Sequence, residues 1–486
     1  MKLGSFRKFL AMRCVTLTEL SEPLTRLVPW LEAEDPHARH HLSLLEEAKK
    51  LLALPDRWGD TEARQLSARL ERWRYQHLNE VEGRWRPVDW ELADLLDSLA
   101  RQLAGRPHLP PRSTFTAIYS ENGESSRLNE ALEVLNPSIP LEEVCAKARA
   151  ITEENFSLPV GEDLPHSEET PQPEGQLQEG SRARVLTKRR MFMYAPLYLS
   201  SYCVNYCLYC GFRFEEPIER KHLTIDEVRR EAEVLRSHGF RHILLVAGDF
   251  PQLVSVEYLT KVIRTLVELG IRPGIEVAPQ STDGYEALVA AGATSITLYQ
   301  ETYDLELYRR YHPRGPKSSF LWRLEGVDRA AEAGMRRLGL GILLGLADPR
   351  ADLAALIRHG LYLERRYPDR RLAFSLPRIH EAPVDFRVPV EVPDELFIRM
   401  YCALRIAFPR AELVLSTREA PELRNSLAKI CITQMSAGSS TVPGGYADTD
   451  STAALGRQFP VHDPRSPEEV FQYLRECGFH LIWQLE

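Results

Sequence analysis

The sequence predicts a fold of the α/β class, a (β/α)8 TIM-type barrel with an α-helical N-terminal extension, and three observations support it. From Arg190 onward eight short apolar runs alternate with stretches of helical period. Polar residues follow seven of the eight runs, at the strand ends where such barrels carry their chemistry. Before about residue 110, apolar residues recur mainly at three- and four-residue spacing instead. A doubly wound open sheet is the alternative, because a count of strands does not establish closure.

In chain order, residues 1–110 read as a helical extension, with apolar stripes at 44–52, 66–73 and 92–103. Trp58, Trp73, Trp85 and Trp90 serve either interior packing or a surface for a partner, and the segment holds no constellation tied to chemistry. Residues 111–157 form a helical lead-in whose clearest element spans 141–156. Residues 158–186 lose periodicity and are rich in Pro, Glu, Gln, Ser and Gly, which predicts a mobile insertion or linker. Residues 187–486 hold the barrel and a C-terminal region.

The predicted strands cover 194–202, 242–247, 273–278, 295–299, 338–344, 372–376, 412–416 and 430–436. Helices are predicted over 224–238, 257–269, 285–291 and 318–333, the first opening on Thr224 followed by early acids. The polar groups at strand ends begin with a cysteine loop, then Gly248-Asp249, Gln280 and Gln300-Glu301-Thr302. They continue with Arg378 and His380, Ser416-Thr417-Arg418-Glu419 and Ser436-Ala437-Gly438-Ser439.

Composition narrows the partners. Hydrophobic residues make up 44% and charged residues 27%, as in ordinary globular proteins. A net charge of −8 gives no electrostatic reason to expect nucleic acid or an anionic membrane. No apolar run reaches the ~20 residues that span a bilayer, and the N-terminus lacks the apolar core of a secretory signal. Of eight cysteines, Cys14, Cys145, Cys402, Cys431 and Cys477 are scattered singly, which predicts buried hydrophobes in a reducing, cytoplasmic setting.

The remaining three, Cys203, Cys207 and Cys210, stand at C-x3-C-x2-C spacing directly after the first strand. Thiolates are the ligands of iron–sulfur clusters, and three rather than four leave one iron of a [4Fe–4S] cluster open. A zinc site or three unrelated cysteines are the alternatives, although zinc usually recruits a fourth Cys or His and none stands beside Cys210.

The run Tyr194-Ala-Pro-Leu-Tyr-Leu-Ser-Ser-Tyr-Cys-Val-Asn-Tyr-Cys-Leu-Tyr-Cys-Gly-Phe212 resembles the cluster loop of radical S-adenosylmethionine (SAM) enzymes. With Tyr299-Gln-Glu-Thr-Tyr303, Tyr311-His-Pro-Arg-Gly-Pro-Lys317, Leu415-Ser-Thr-Arg-Glu419 and Met435-Ser-Ala-Gly-Ser-Ser-Thr441, the resemblance narrows to the aromatic-amino-acid lyases. These are typified by 2-iminoacetate synthase of thiazole biosynthesis and the tyrosine lyase of [FeFe]-hydrogenase maturation. The similarity covers roughly 140–486.

The resemblance implies cleavage of the Cα–Cβ bond of L-tyrosine to 2-iminoacetate and p-cresol through a 5′-deoxyadenosyl radical. Its cofactors would be a [4Fe–4S] cluster held by Cys203, Cys207 and Cys210, and SAM held near Tyr209, Gly248, Asp249, Glu301 and Arg323. Gly248 would admit the SAM amino group, while Asp249 stands where the family usually has Glu. Arg418 would grip the substrate carboxylate, because a guanidinium binds it bidentately, with Ser436 beside it. Ser416 either contacts the substrate or supports the strand end, and His312 reads as structural. Gly438, Gly444 and Gly445 read as turns of a loop over the barrel mouth. A one-electron reductant and a downstream protein, such as a thiazole synthase or a metallocofactor maturation protein, are implied as partners.

The hydrogenase branch carries a C-terminal domain with a second cysteine-bound cluster. Here Ser466 to Trp483 resembles the ending of the thiazole branch. The N-terminal 110 residues and the 158–186 insertion exceed what either branch usually carries, which leaves room for another substrate such as tryptophan. A non-catalytic scaffold is the reading from another class.

Overall fold

The computed structural model describes residues 38–80, 87–106, 112–119, 125–158, 188–382, 384–447 and 456–484. Cys14, Trp85 and the predicted insertion beyond Leu158 lie outside the described residues.

Three helices open the described chain: α1 (Ala38–Leu52), α2 (Thr61–Glu80) and α3 (Pro87–Leu103). Their stripes, including Leu44, Leu45, Leu70, Trp73, Leu96 and Leu99, bury against one another in a core of their own. Trp73 is interior, and Trp90 stacks on Phe115 with ring centroids 5.0 Å apart, so both are packing residues. A second face of α2 and α3, with Tyr75, Leu78 and Ala93, joins the barrel's core. The lead-in follows as α4 (Thr114–Tyr119), α5 (Ser126–Glu133) and α6 (Leu141–Phe156).

Eight parallel strands come next: β1 (Lys188–Ser200), β2 (His242–Ala247), β3 (Arg272–Glu276) and β4 (Ser295–Glu301), then β5 (Arg337–Ile342), β6 (Arg371–Ser375), β7 (Glu412–Leu415) and β8 (Gln434–Ser436). Each bonds to the next, and β8 returns to β1 through the pairs Phe192↔Gln434, Met193↔Met435 and Tyr194↔Ser436. That pairing closes the barrel and removes the open-sheet alternative. Burial on both faces, by helices outside and packed side chains inside, explains why the strands read as continuous apolar runs. Two short strands also add to β1, Ser157–Leu158 antiparallel beside Lys188 and Arg189 and His480–Ile482 parallel beside Arg190–Phe192, and neither was legible as a strand.

Helix α7 (Ile225–Ser237) starts where Thr224 predicts. The Thr224 hydroxyl accepts the Glu227 N–H at 3.3 Å and the Glu227 carboxylate accepts the Thr224 N–H at 2.7 Å, a reciprocal cap. Helices α8 (Val256–Glu268), α9 (Thr282–Ala291) and α10 (Leu305–Tyr311) continue the ring.

Two predicted elements differ. The 318–333 helix is divided into α11 (Phe320–Leu324) and α12 (Gly326–Glu332), meeting at Glu325, whose carboxylate turns toward α2. The 430–436 run is a strand only from Gln434, because Ile430 closes a helix and the carbonyls of Cys431 and Ile432 are taken by Arg405 and Arg189. Three of the single cysteines also meet: the Cys145 thiol hydrogen-bonds that of Cys402, which bonds Cys431.

The interface between α2 and the barrel is ionic as well as apolar. Arg74 grips Glu325 with two N–H groups at 2.6 and 3.0 Å, both residues being about 1% exposed or less. Arg112 reaches Glu71 at 3.1 Å and Glu332 at 2.7 Å. Losing one side of such a buried pair costs about 3–5 kcal/mol because the other charge stays buried. Deletion of residues 1–110 leaves Glu325 without Arg74, so a truncated chain is expected to lose cooperative thermal unfolding by circular dichroism. A truncation that melts within a few degrees of the full chain would show that these pairs contribute little.

Candidate active site

The cysteine loop leaves β1 at the C-terminal mouth of the barrel and is pinned from several sides. Val204 N–H bonds the Asp249 carbonyl at 2.8 Å, and Leu208 N–H bonds that of Tyr311 at 3.1 Å. Asn205 donates its amide to the Asp249 carboxylate at 2.9 Å and accepts the Lys317 N–H at 2.9 Å. Asp249 is therefore engaged by the loop itself. A Cβ at Gly248 would stand 2.3 Å from the Tyr202 carbonyl oxygen, so the glycine is required for the β2 end to lie against this loop.

Cys203, Cys207 and Cys210 are unbridged and lie within electrostatic reach of one another. Burial pushes the Cys207 thiol up to about 12 and that of Cys210 to about 11, with Lys317 offsetting only part. The backbone N–H groups of Asn205 and Phe212 approach the Cys203 and Cys210 sulfurs at 3.5 and 3.4 Å, ready to stabilise thiolates. Among the described residues no three or more His, Cys, Asp or Glu side chains group closely enough to hold a metal ion.

Beside the loop lies a charged cluster. Glu301 ends β4 at a register shift and holds φ at 70°, the left-handed region that a glutamate rarely occupies. Its Oε1 accepts Lys317 Nζ at 2.6 Å and Arg323 Nη2 at 3.3 Å, while Arg323 Nε bonds the Tyr299 carbonyl at 2.6 Å. Burial opposes ionisation of Glu301, but the two cations outweigh it and hold the carboxyl below its ordinary value. Lys317 is a residue that the sequence reading quoted in a motif without assigning it a role.

Tyr209 is buried, and its hydroxyl meets His312 Nε2 at 2.8 Å and Lys317 Nζ at 3.2 Å. His312 Nδ1 lies 2.7 Å from the Tyr308 carbonyl, which only accepts, so Nδ1 carries the hydrogen and Nε2 accepts from Tyr209. Burial, with Lys317 adding repulsion, keeps His312 neutral. A cavity of about 390 Å³ adjoins this cluster, bounded by Gly248, Asp249, Gln280, Lys317, Trp322 and Arg323. It gathers three of the five predicted cofactor residues, and Glu301 reaches it through Lys317 and Arg323.

Farther into the mouth stand Arg418 and Ser436. The Arg418 guanidinium stacks on Phe459 at 3.7 Å and forms no ion pair among the described residues. Ser436, 1% exposed, ends β8 with its hydroxyl unpartnered, and the Arg424 guanidinium holds its carbonyl. Ser416 is half-buried one residue past the end of β7, whereas Glu419 is consumed by Arg378 and His380. Gly438 and Gly444 have positive φ, as turns require.

The sequence reading missed Glu276, the last residue of β3, having taken Gln280 as the polar group of that strand end. Its carboxylate makes no hydrogen bond or ion pair among the described residues, and burial pushes it up to about 7 against the pull of Arg418. Tyr194, Tyr198, Tyr299, Glu301, Lys317 and Arg323 also lie within its electrostatic reach. Glu276 closes β3 and Arg418 lies just beyond β7, on the opposite side of the eight-stranded barrel, with the two charges within electrostatic reach of each other. An acid closing a strand that opens Arg-Pro-Gly was the available signal.

Comparison with known proteins adds the following. The radical SAM superfamily matches residues 197–359, and the Biotin and Thiamin Synthesis associated domain matches 375–480. The 2-iminoacetate synthase of Salmonella typhimurium is 37% identical over 309 residues, 62% of this chain and 81% of that protein. Its Escherichia coli counterpart is 37% identical over 322 residues, 65% and 84% of the two chains. The solved FeFe-hydrogenase maturase HydG from Carboxydothermus hydrogenoformans superposes with a TM-score of 0.62 at 29% identity, over 87% of this chain and 85% of that one.

Proposed function

We propose a tyrosine lyase: the chain belongs to the 2-iminoacetate synthase family of radical SAM enzymes, and it cleaves the Cα–Cβ bond of L-tyrosine to give 2-iminoacetate and p-cresol. What supports this for the present chain is a pair of opposite charges, Arg418 and Glu276, that have no ion-pair partner among the described residues and lie within electrostatic reach of each other at the mouth of a closed barrel. A zwitterionic amino acid satisfies both charges at once. An uncompensated pair of this kind is costly unless a ligand completes it.

Cys203, Cys207 and Cys210 would hold a [4Fe–4S] cluster that, with SAM and one electron, supplies a 5′-deoxyadenosyl radical. Three unbridged thiols on one short loop, Cys207 buried and Cys203 and Cys210 partly exposed, with a cavity against the neighbouring Gly248, fit such a pair of groups. Glu301, Arg323 and Lys317 offer SAM a carboxylate and two cations, Gly248 bounds its pocket, and Tyr209, locked by His312, meets the lining residue Lys317 from behind. Asp249 acts through Asn205, as a brace of the loop.

Arg418 takes the tyrosine carboxylate in a bidentate grip, and Phe459 holds the guanidinium flat for it. Ser436 donates its free hydroxyl beside Arg418, and Ser416 supports the strand end. Glu276 receives the ammonium proton, leaving a neutral amine for hydrogen abstraction. The enclosing barrel excludes water from the radical. The electron comes from a one-electron reductant, and 2-iminoacetate passes to a downstream protein. We place the reaction in the cytoplasm, where thiols stay reduced; no helix among the described residues is long and apolar enough to cross a membrane.

The test is product analysis by mass spectrometry after incubating reduced, cluster-loaded enzyme with SAM and each aromatic amino acid. p-Cresol from tyrosine is expected; products from tryptophan alone would replace the substrate. The role of Glu276 has its own signature. Ionisation near 7 makes kcat/KM for tyrosine fall about tenfold per pH unit below that value, where the carboxyl is protonated. Glu276→Gln should lower turnover and abolish this acid limb, and an unchanged limb would remove Glu276 from the reaction.

A further inference from the structure

The N-terminal helices carry no chemistry of their own, yet their buried polar groups converge on the SAM cavity. Tyr75 of α2 donates its hydroxyl to Glu325 at 2.7 Å and accepts Arg329 Nη1 at 2.8 Å and Arg112 Nη1 at 3.3 Å. Arg329 then spends its remaining donors on two cavity-wall residues, the Gln280 carbonyl at 2.8 Å and the Trp322 carbonyl at 2.6 Å. Its guanidinium lies 3.6 Å over the Trp322 ring, and Tyr75 meets that ring edge-on with centroids 4.9 Å apart. Glu71, one helical turn before Tyr75, accepts the Thr282 hydroxyl at 3.1 Å and faces its N–H at 3.4 Å. The helix therefore bonds both sides of one cavity: the turn after β3 and the segment carrying Trp322 and Arg323.

We propose that Tyr75 and Glu71 are positioning residues for SAM, through which the N-terminal layer sets the spacing between the Gln280 turn and the Trp322–Arg323 wall. The inference rests on the reading above that SAM occupies this cavity. A layer serving stability alone would anchor to any part of the barrel's flank. Here the buried groups of α2 end on Glu325, Arg329 and Thr282, and Arg329 in turn donates to the backbone carbonyls of two cavity-lining residues, so the geometry of α2 is transmitted to the pocket through Arg329. Tyr75→Phe removes only the hydroxyl that relays Glu325 to Arg329, keeping the ring against Trp322.

In the cluster-loaded full chain, Tyr75→Phe is expected to weaken SAM binding about tenfold by equilibrium dialysis, as loss of a hydrogen bond to a charged group does. Tyrosine affinity should stay within about twofold, since Arg418, which takes the tyrosine carboxylate, follows β7 on the side of the barrel opposite β3. Glu71→Gln provides a second variant should the first fail to fold, and Arg69→Ala, whose partner Glu47 is on the exposed face, should change neither affinity. Unchanged SAM affinity in the folded variants, or parallel losses for SAM and tyrosine, overturns the proposal. Hydrogen exchange on the wild-type holoenzyme decides without substitutions. SAM should slow exchange at 279–282, at 320–326 and in α2 at 70–78. Protection at the first two without α2 overturns the positioning role, and protection at none of them overturns the placement of SAM.

Discussion

Cys207→Ala is expected to abolish SAM cleavage outright, with bound iron falling to background and the visible absorption of a cluster lost. Cys207 is 5% exposed and sits between Cys203 and Cys210 in the loop after β1. Three ligands leave no redundancy: the C-x3-C-x2-C loop is the one closely spaced group of cysteines in the sequence, so no neighbouring thiol can substitute. The barrel should survive, because removing one buried sulfur costs on the order of 1 kcal/mol, well within ordinary stability. Cys477→Ala, at the C-terminal cap of the helix Pro467–Glu476, should retain iron and activity. A Cys207→Ala protein that still binds iron and releases 5′-deoxyadenosine at the parent rate would remove the cluster from this loop.

Arg418→Ala is expected to reduce tyrosine turnover at least a hundredfold while sparing SAM binding. With substrate in the lumen, the carboxylate and guanidinium form a desolvated pair, and loss of one partner costs about 3–5 kcal/mol. At about 1.4 kcal/mol per factor of ten, the lower bound is a hundredfold. Arg418→Lys should recover little, because an ammonium offers neither the bidentate fork nor the flat stack on Phe459. The informative comparison sets tyrosine-dependent p-cresol against tyrosine-independent 5′-deoxyadenosine in the same sample. Parent-level p-cresol would exclude Arg418 from the site, and loss of SAM binding alone would move it to the cofactor.

The second prediction also separates this site from its closest neighbour in the fold. Arg378 is buried more deeply than the half-buried Arg418, but Glu419, Asp394 and the Val392 carbonyl already occupy it. Both arginines follow a barrel strand in sequence, and nothing local distinguishes them. What distinguishes them is company: Arg418 has an aromatic face and no anion among the described residues, whereas Arg378 has two.

Sequence by itself determined the alternation of strands and helices, because hydrophobic period and strand-end polarity are local patterns that survive in one dimension, whereas closure was decided by the pairing of β8 with β1. It determined the cysteine loop, whose ligand spacing is a property of adjacent residues, and the caps at Thr224 and the helix at Leu141–Phe156. It did not reveal Glu276, which acquires meaning only from Arg418 on the opposite strand, or the left-handed backbone of Glu301. Nor did it reveal that Cys145, Cys402 and Cys431 meet. The N-terminal layer is the clearest case. Arg74, Tyr75 and Glu71 read as the polar face of an amphipathic helix, and only the docking of that helix against Glu325, Arg329 and Thr282 decides that these groups are buried and paired. Burial of a charge depends on what covers it, and for these residues the cover lies more than 200 positions away in the chain.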